Sequence, residues 1–367
     1  MEDFSEQQLF FMRRAIALGE MGRISAPPNP WVGCVIVKNA KIIGEGYHKG
    51  PGQPHAEREA FHSSEVSIEG SDVYVTLEPC CHYGNTPPCV DLLIQYRVRR
   101  VYVALVDPDP RVSGKGIAAL RKAGILVYEG LGKEEAEFSL QPYLHQRRQG
   151  SSWTLIKSAS TLDGQVADAE GESQWITCLE ARHDVGKLRA ASQAIIVGSQ
   201  TVIQDNPWLT ARTKSGELYA RQPKRIVLDS VGRVSPQARV FHRPESALYV
   251  TTTLCPSKHR DSFRDRGIDV FVTQPQDGKV HLLELNQYLS NQNMLQVMIE
   301  GGPTLQTSYI KANLAHAIVL YIGGKILGDQ KKNIFGDLGL QLSSARELLL
   351  KSSEILGNSL KTFWEFV

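Results

Sequence analysis

Three of the six cysteines in this 367-residue chain lie within ten residues of one another, at Cys80, Cys81 and Cys89. The first residues are acidic and polar and lack the basic start and apolar core of a secretory signal. We therefore expect a cytoplasmic protein, in which disulfides are rare and a cysteine cluster indicates a metal site or a catalytic site. The fold must bring this cluster together with the remaining ligands of such a site.

A histidine and a glutamate upstream complete the pattern, because His55 and Glu57 precede the cysteines. Zinc takes three or four nitrogen and sulfur ligands, and a catalytic zinc keeps one position open for water. His55, Cys80 and Cys89 supply three ligands, so we predict one zinc ion per chain. Zinc lowers the pKa of its water, and Glu57, which is not needed as a ligand, can carry the proton to a leaving amino group. The pattern predicts hydrolytic deamination of an amidine-like ring carbon.

Prolines before both cysteines, Pro79 and Pro88, predict helix starts at these positions. Cys80 and Cys89 would then lie near helix N-termini, where the helix dipole favours a thiolate.

The secondary-structure pattern alternates helices and strands along the whole chain, which predicts an α/β protein. A charged helix followed by the linker at residues 149–152 divides the chain into domains at residues 1–148 and 149–367. The tail beyond Leu340 predicts a helix and a final strand.

Composition argues against two classes of partner. The chain has 41 basic and 39 acidic residues, a net charge of +2, which gives no basis for binding nucleic acid or an anionic membrane. No apolar run approaches the roughly 18 residues that a membrane helix needs.

Three segments resemble the deaminase domain of the bifunctional riboflavin-biosynthesis deaminase–reductases: residues 78–89 (EPCCHYGNTPPC), 28–37 (PNPWVGCVIV) and 44–48 (GEGYH). The resemblance implies a cytidine-deaminase-like mixed sheet with flanking helices. It also implies that His55, Cys80 and Cys89 bind zinc and that Glu57 is the proton shuttle. Two further residues, Asn29 and His48, match positions that contact the pyrimidine nucleotide.

Two features depart from the expected motifs. Eight residues separate Cys80 from Cys89, whereas the general deaminase signature has two between its cysteines. Within this loop, Asn85 stands where family members often carry a lysine or arginine that meets the ribose phosphate. Asn85 has no charge, so the cation in this protein is Lys49, Lys115 or another nearby base.

The same loop contains two residues beside the ligand Cys80. We interpret Cys81 as a small buried neighbour of the ligand. For His82 we keep open two alternatives, a fourth zinc ligand and a substrate contact.

In the C-terminal half, the segment EGGPT at residues 300–304 follows a predicted strand and precedes a helix. Such a glycine turn exposes backbone N–H groups that can hold a phosphate, although it is not the Rossmann fingerprint. Four further segments resemble the reductase domain of the same family: residues 157–164 (KSASTLDG), 171–177 (GESQWIT), 197–202 (VGSQTV) and 205–212 (DNPWLTAR).

This second resemblance implies a dihydrofolate-reductase-like α/β domain that binds NADPH. The implied NADPH contacts are Ala159, Trp175, Thr201, Asp205, Ser230, Gly302, Pro303 and Thr304. The implied substrate contacts are Ser173, Arg189, Leu209, Arg212 and Glu300. The two arginines suit a sugar phosphate because guanidinium donates bidentately, and Lys157 is our candidate for polarising the ribose during reduction.

Together these features predict deamination of 2,5-diamino-6-ribosylamino-4(3H)-pyrimidinone 5′-phosphate, followed by NADPH reduction to 5-amino-6-ribitylaminouracil 5′-phosphate. We expect a homo-oligomer, either a dimer or a tetramer. One alternative is a nucleic-acid editing deaminase with an unrelated C-terminal domain, which requires a basic channel that the charge balance does not indicate. The other is a non-catalytic binding protein, although all three ligands and Glu57 are present.

Overall fold

The computed structural model describes residues 4–83, 87–330 and 332–367. The chain divides into two compact units, Met1–Gly150 and Ser151–Val367. The first unit has helices packed on a mixed sheet and the second has helices packed on a largely parallel sheet, so the predicted α/β class is confirmed for each half. Among the described residues, the helices all lack the length or the hydrophobicity needed to cross a bilayer.

The N-terminal unit is a five-stranded mixed sheet with helices on both faces. Its helices are α1 (Glu6–Met21), α2 (Ala56–His62), α3 (Cys89–Gln95), α4 (Lys115–Lys122) and α5 (Lys133–Gln149). Its strands are β1 (Gly33–Lys38), β2 (Lys41–Tyr47), β3 (Asp72–Val75), β4 (Arg100–Val103) and β5 (Leu126–Glu129). The strand order is β2-β1-β3-β4-β5, in which β1 is antiparallel to both neighbours and β3, β4 and β5 run parallel.

Local sequence explains where the first elements begin. Ser5 caps α1 in a reciprocal capping box with Gln8, as the sequence predicts. The hairpin between β1 and β2 turns at Asn39 and Ala40, which both have positive φ. This left-handed turn matches the twist of the two strands that it joins.

The apolar core between the sheet and α2, α3 and α4 is built from short buried side chains. Helix α2 supplies Ala56 and Ala60, which pack with Cys34 and Ile36 of β1. Gly46 of β2 has no room for a side chain, because a Cβ there would lie 2.2 Å from the backbone nitrogen of Ala60. This close approach holds α2 directly on the sheet, together with His55 at the N-terminus of the helix.

The predicted helix start at Pro79 is wrong. The described residues between β3 and α3 form no regular element, so Cys80 lies in an irregular segment. The carboxylate of Glu78, directly before Pro79, accepts backbone N–H bonds from residues 107–117, and this tertiary contact competes with a helix start here. The second predicted start is confirmed, since Pro88 is the N-cap of α3 and Cys89 is its first residue.

The C-terminal unit has a long sheet as its framework. Its strands are β6 (Trp153–Thr161), β7 (Ala194–Gly198), β8 (Lys224–Leu228), β9 (Ala247–Thr252), β10 (Asp269–Thr273), β11 (Pro275–Gln276), β12 (Lys279–Val280), β13 (Gln296–Ile299), β14 (Ala317–Gly323), β15 (Leu348–Leu356) and β16 (Ser359–Phe366). Its helices are α6 (Leu179–Ala191), α7 (Ser199–Asp205), α8 (Ser257–Arg264), α9 (Leu282–Asn291) and α10 (Pro303–Lys311), with short 3₁₀ helices at Arg239–Phe241, Pro244–Ser246 and Leu342–Ser344.

The main sheet has the order β10-β9-β8-β7-β13-β6-β14-β16-β15. In this spatial order, the first seven strands (β10, β9, β8, β7, β13, β6 and β14) run parallel to their neighbours. Strands β16 and β15 add an antiparallel hairpin at one edge. Buried residues of β7, β8 and β13 form near-continuous apolar runs, as expected for parallel strands that are covered on both faces. In such sheets, ligands bind at the carboxyl ends of the strands.

The predicted helix in the C-terminal tail is wrong, because residues 348–356 form strand β15. Its leucine-rich sequence favours a helix by intrinsic propensity. The segment instead pairs antiparallel with β16, across a turn in which Gly357 has a φ of 56°. Pairing along the length of a neighbouring strand outweighs the local preference.

Candidate metal centre and ligand cleft

The three predicted zinc ligands meet in the N-terminal unit. Nδ1 of His55 lies 3.4 Å from the sulfur of Cys80 and 3.4 Å from the sulfur of Cys89. All three ligand atoms lie within 4.8 Å of one another. His55 is the N-cap of α2 and Cys89 opens α3, so two helix starts and the segment after β3 converge here. One nitrogen and two sulfurs at this separation fit tetrahedral zinc with an open fourth position.

The sulfur of Cys80 is stabilised as a thiolate. The pKa of Cys80 is lowered to about 4, chiefly by a hydrogen bond from Cys89, with smaller contributions from His55 and from the backbone N–H of Cys89. That N–H lies 3.3 Å from the sulfur. Cys80 is therefore close to a helix N-terminus in space, although no helix begins at Pro79.

The neighbours of Cys80 have different surroundings. Cys81 is only partly buried, and its sulfur lies 3.8 Å from the carbonyl oxygen of Arg111. His82 does not belong to the three-residue metal group found among the described residues, although its buried Nδ1 has no partner there. Asn85 lies outside the described residues.

Glu57 is buried beside the metal group, with 4% of its surface exposed. Its pKa is raised, first by burial and then by the charge of Cys80. A carboxyl group whose pKa is shifted toward neutrality can both accept and return a proton, which is what a proton shuttle requires.

Asn29 and His48, the two predicted pyrimidine contacts, are hydrogen-bonded to each other. The side-chain nitrogen of Asn29 lies 3.0 Å from Nε2 of His48, and Nδ1 of His48 lies 3.0 Å from the carbonyl oxygen of Pro54. Burial lowers the pKa of His48, and the nearby His55 adds to this effect. The ring is therefore neutral, with Nδ1 donating to Pro54 and Nε2 accepting from Asn29. The rings of His48 and His55 lie 5.4 Å apart, so this pair borders the metal group.

Glu78 is a site residue to which the sequence assigned no role. It is 4% exposed, and its carboxylate accepts four backbone N–H bonds from the loop after β4 and from the first turn of α4. The donors and distances are Asp107 at 3.2 Å, Gly114 at 2.9 Å, Gly116 at 2.9 Å and Ile117 at 3.1 Å. An acidic residue at the end of the apolar strand segment 73–77 was the available signal, because a buried carboxylate needs such partners.

In the C-terminal unit, one cleft of about 1960 Å³ contains all the predicted contacts of that half. It opens at the carboxyl ends of β7, β8 and β13, which are neighbours in the sheet. The predicted residues that line it are Lys157, Ala159, Ser173, Trp175, Arg189, Thr201, Asp205, Leu209, Arg212, Ser230, Glu300, Gly302, Pro303 and Thr304.

Three charged residues of the cleft form an ion cluster. Arg189 donates to Glu300 through Nε at 2.8 Å and Nη2 at 2.6 Å, and Lys157 Nζ lies 3.7 Å from the same carboxylate. Burial alone raises the pKa of Glu300, but Arg189 and Lys157 outweigh it, so the net shift is downward. The pKa of Lys157 is lowered, first by burial and also by Arg189, against the attraction of Glu300. Sequence motifs named these residues separately and did not show this pairing.

Two other parts of the cleft have geometry suited to a dinucleotide. Gly302 is the N-cap of α10, with Pro303 at the first helical position, so free backbone N–H groups face the cleft end of the helix. Trp175 is exposed, and the guanidinium of Arg182 lies 4.0 Å from the centre of its ring.

Arg212 is exposed and donates to Thr210 Oγ1 and to the carbonyl oxygen of Gly216.

Two family models match the chain in succession. The model "Cytidine and deoxycytidylate deaminase zinc-binding region" matches residues 5–105, and the model "RibD C-terminal domain" matches residues 152–362. Among curated relatives, a riboflavin biosynthesis protein RibD from Chlamydia pneumoniae is 58% identical over 365 residues, covering 100% of this chain and 97% of the relative. The protein of the same name from Escherichia coli is 38% identical over 361 residues, covering 96% of this chain and 97% of the relative.

Solved structures agree along the full length. RibD of Acinetobacter baumannii superposes with a TM-score of 0.87 at 36% identity, covering 99% of each chain. A Thermotoga maritima protein, described as a diaminohydroxyphosphoribosylaminopyrimidine deaminase/5-amino-6-(5-phosphoribosylamino)uracil reductase, gives a TM-score of 0.84 at 31% identity, covering 98% of this chain and 99% of that one.

Proposed function

This chain belongs to the RibD family of riboflavin biosynthesis proteins, and we propose that it deaminates a pyrimidine ribosylamine 5′-phosphate and then reduces the sugar of the product. It is a bifunctional enzyme with a zinc-binding deaminase domain and a reductase domain. The convergence of His55, Cys80 and Cys89 beside the buried Glu57 is the observation that best supports the deaminase half. The substrate is the 2,5-diamino-6-ribosylamino-4(3H)-pyrimidinone 5′-phosphate inferred from the sequence.

In the deaminase site, His55, Cys80 and Cys89 would hold a zinc ion, which would supply the Lewis acidity that makes water a nucleophile near neutral pH. Glu57 takes a proton from the water that attacks the ring carbon and delivers it to the amino group, which leaves as ammonia. The water oxygen becomes the carbonyl oxygen, and its second proton goes to the neighbouring ring nitrogen. Asn29 and His48 hold the pyrimidine. The bonds of His48 to Asn29 and to Pro54 fix its ring in place beside the pyrimidine.

In the reductase cleft, a nicotinamide cofactor supplies the hydride. The ribosylamino group opens to an imine, and reduction at the anomeric carbon gives the ribitylamino chain. Lys157 lies in the ion cluster and polarises the opening sugar. Ser173 and Leu209 shape the substrate site.

The substrate phosphate in this cleft is assigned to Arg212 rather than to Arg189. The fork of Arg189 is occupied by Glu300 and by the carbonyl oxygen of Thr210. Arg212 is exposed at the cleft and bonds to Thr210 and Gly216 of its own loop rather than to a carboxylate, so it can turn toward a phosphate. Arg189 then acts by holding Glu300 in place.

We assign the cofactor as NADPH, with its pyrophosphate at Gly302, Pro303 and Thr304. Trp175, Ala159, Thr201, Asp205 and Ser230 lie along the same cleft and are the remaining proposed contacts. The preference for NADPH over NADH follows from the family resemblance. The cytoplasmic location expected from the sequence stays a prediction.

Zinc content and ammonia release from the pyrimidine ribosylamine phosphate, measured for wild type and for Glu57→Ala, test the deaminase assignment. We expect zinc in both proteins and ammonia release in the wild type alone. Folded wild-type protein without zinc would contradict the metal site, and unimpaired release by the variant would contradict the role of Glu57.

The two alternative functions are not favoured. A nucleic-acid editing deaminase with an unrelated C-terminal domain disagrees with the match of residues 152–362 to the RibD C-terminal domain. A non-catalytic binding protein has no need for a complete ligand set beside a buried glutamate.

We also propose a homodimer formed through β15, the last strand at one edge of the long sheet. Its side chains are exposed along nearly its whole length, and Ile355 is 80% exposed. A long edge strand with apolar side chains is a template for pairing with another strand, and a second copy of β15 is self-complementary about a two-fold axis. Analytical ultracentrifugation of wild type, Ile355→Lys and the control Leu342→Lys tests this, with dissociation expected in the first variant alone.

A further inference from the structure

One cation beside the metal group has no compensating carboxylate among the residues that the structure describes. Arg58 follows Glu57 on α2, and its Nη2 donates to the carbonyl oxygen of Pro87 at 3.1 Å. Pro87 belongs to the segment that leads into the ligand Cys89. Among the described residues, Arg58 forms no ion pair, and its buried Nε has no hydrogen-bond partner. A full positive charge therefore lies close to the site without an anionic partner in the described part of the chain.

The neighbouring cations are engaged differently. Lys49 is ion-paired with Glu59, and Arg111 is ion-paired with Asp109 at 2.7 Å. Both charges are already compensated by carboxylates, which a phosphate would have to displace. This argues against Lys49, one of the two bases considered from the sequence.

Lys115, the other base considered from the sequence, donates to the carbonyl oxygen of Pro110 at 2.7 Å. That contact keeps it on the loop after β4, whereas the guanidinium of Arg58 reaches the segment between the two cysteine ligands. Lysine also presents a point charge, while the planar guanidinium matches two phosphate oxygens at once.

We propose that Arg58 binds the 5′-phosphate of the substrate in the deaminase site, in place of the cation that Asn85 lacks. This inference rests on the proposed function, which supplies the phosphorylated substrate. The guanidinium keeps its bond to Pro87 through Nη2 and turns its remaining N–H groups onto the phosphate. Because a buried N–H without a partner costs free energy, this movement gains a hydrogen bond at Nε rather than losing one.

The test compares two substrates in the full-length, zinc-loaded protein: the pyrimidine ribosylamine 5′-phosphate and the same compound without its phosphate. Ammonia release is measured for wild type, Arg58→Gln, Arg58→Lys and the matched control Lys115→Gln. For Arg58→Gln we expect KM for the phosphorylated substrate to rise about 10- to 100-fold, the effect of losing a charge-assisted contact, with kcat within about twofold. KM for the unphosphorylated compound stays unchanged, Arg58→Lys keeps most of the preference, and Lys115→Gln behaves as wild type.

Binding of ribose 5-phosphate, followed by calorimetry on the same proteins, gives a second readout that does not depend on turnover. The phosphate site proposed at Arg212 remains in all these proteins, so Arg58→Gln is expected to lose one of two binding events and Lys115→Gln to keep both. Equal losses on both substrates, loss of zinc from Arg58→Gln, or the effect appearing in Lys115→Gln would each overturn the proposal. Wild-type protein that deaminates both compounds equally well would contradict the phosphate contact alone, and wild type inactive on both would overturn the proposed function together with it.

Discussion

Arg189 and Glu300 form a two-point ion pair in the cleft of the C-terminal unit, with separations of 2.8 Å from Nε to Oε2 and 2.6 Å from Nη2 to Oε1. Their side chains are 23% and 12% exposed. The same carboxylate faces Lys157 at 3.7 Å. Glu300 therefore balances two positive charges at once, and the charge of the whole cluster depends on it.

Replacing Glu300 by Gln should destabilise the C-terminal unit and abolish most of the reductase activity. The amide has nearly the same shape but leaves both cations without a counter-charge, and breaking one side of a buried pair typically costs about 3–5 kcal/mol. Partial exposure of this cluster puts our expectation at the lower end of that range. Denaturant unfolding of Glu300→Gln beside the exposed control Glu347→Gln measures the loss. Equal stability of the two variants would show that the cluster is not a stabilising element.

Removing zinc should separate the two activities. The proposed metal ligands all lie in the unit Met1–Gly150, whereas the residues of the cleft lie in Ser151–Val367. After treatment with a chelator, we expect ammonia release to disappear and reduction of the already deaminated substrate to persist. Restoring zinc should restore ammonia release. Parallel loss of both activities would mean that the metal also supports the reductase half.

Sequence motifs predicted which residues lie at the candidate sites, but they did not predict the contacts that these residues make. The convergence of His55, Cys80 and Cys89 was predictable, because metal chemistry limits which side chains can serve as ligands and the motif orders them along the chain. The long apolar strands were predictable as well, since burial imposes a visible pattern.

What could not be predicted depends on distant partners. The local sequence around Leu348 does not indicate a strand, because strand formation there depends on pairing with β16. The irregular backbone at Cys80 likewise depends on the bonds that Glu78 makes about thirty to forty residues away. The pairing of Arg189 with Glu300 joins residues 111 positions apart, so their separate motifs could not reveal it.

Glu78 should prove necessary for the metal site although it touches no ligand. In Glu78→Gln one carboxylate oxygen becomes an NH₂ group that faces two backbone N–H donors instead of accepting from them. Each lost bond to a charged acceptor is worth about 1.5–3 kcal/mol. We expect the N-terminal unit to lose roughly 3 kcal/mol of stability and zinc affinity to fall about tenfold, in the range seen for residues that support metal ligands.

Competition with a chromophoric chelator measures the zinc affinity of this variant, and Glu69→Gln, an exposed position in the same unit, is the control. Unchanged zinc affinity in Glu78→Gln would show that Cys80 is held without the help of this carboxylate.

His145 on α5 should make the stability of the N-terminal unit depend on pH. Burial lowers the pKa of His145 below its usual value of about 6.5. Above the unfolded pKa both states are neutral, so its contribution to stability is complete and constant. Below about pH 6.5 the unfolded chain takes up a proton that the folded chain resists, so stability falls as the pH falls toward the folded pKa. In His145→Gln this part of the dependence disappears, and the stability difference between wild type and variant should shift against the wild type as the pH decreases from 7.5 to 5. Thermal unfolding of both proteins across that range measures it, and a difference that stays constant with pH would mean that His145 titrates alike in both states.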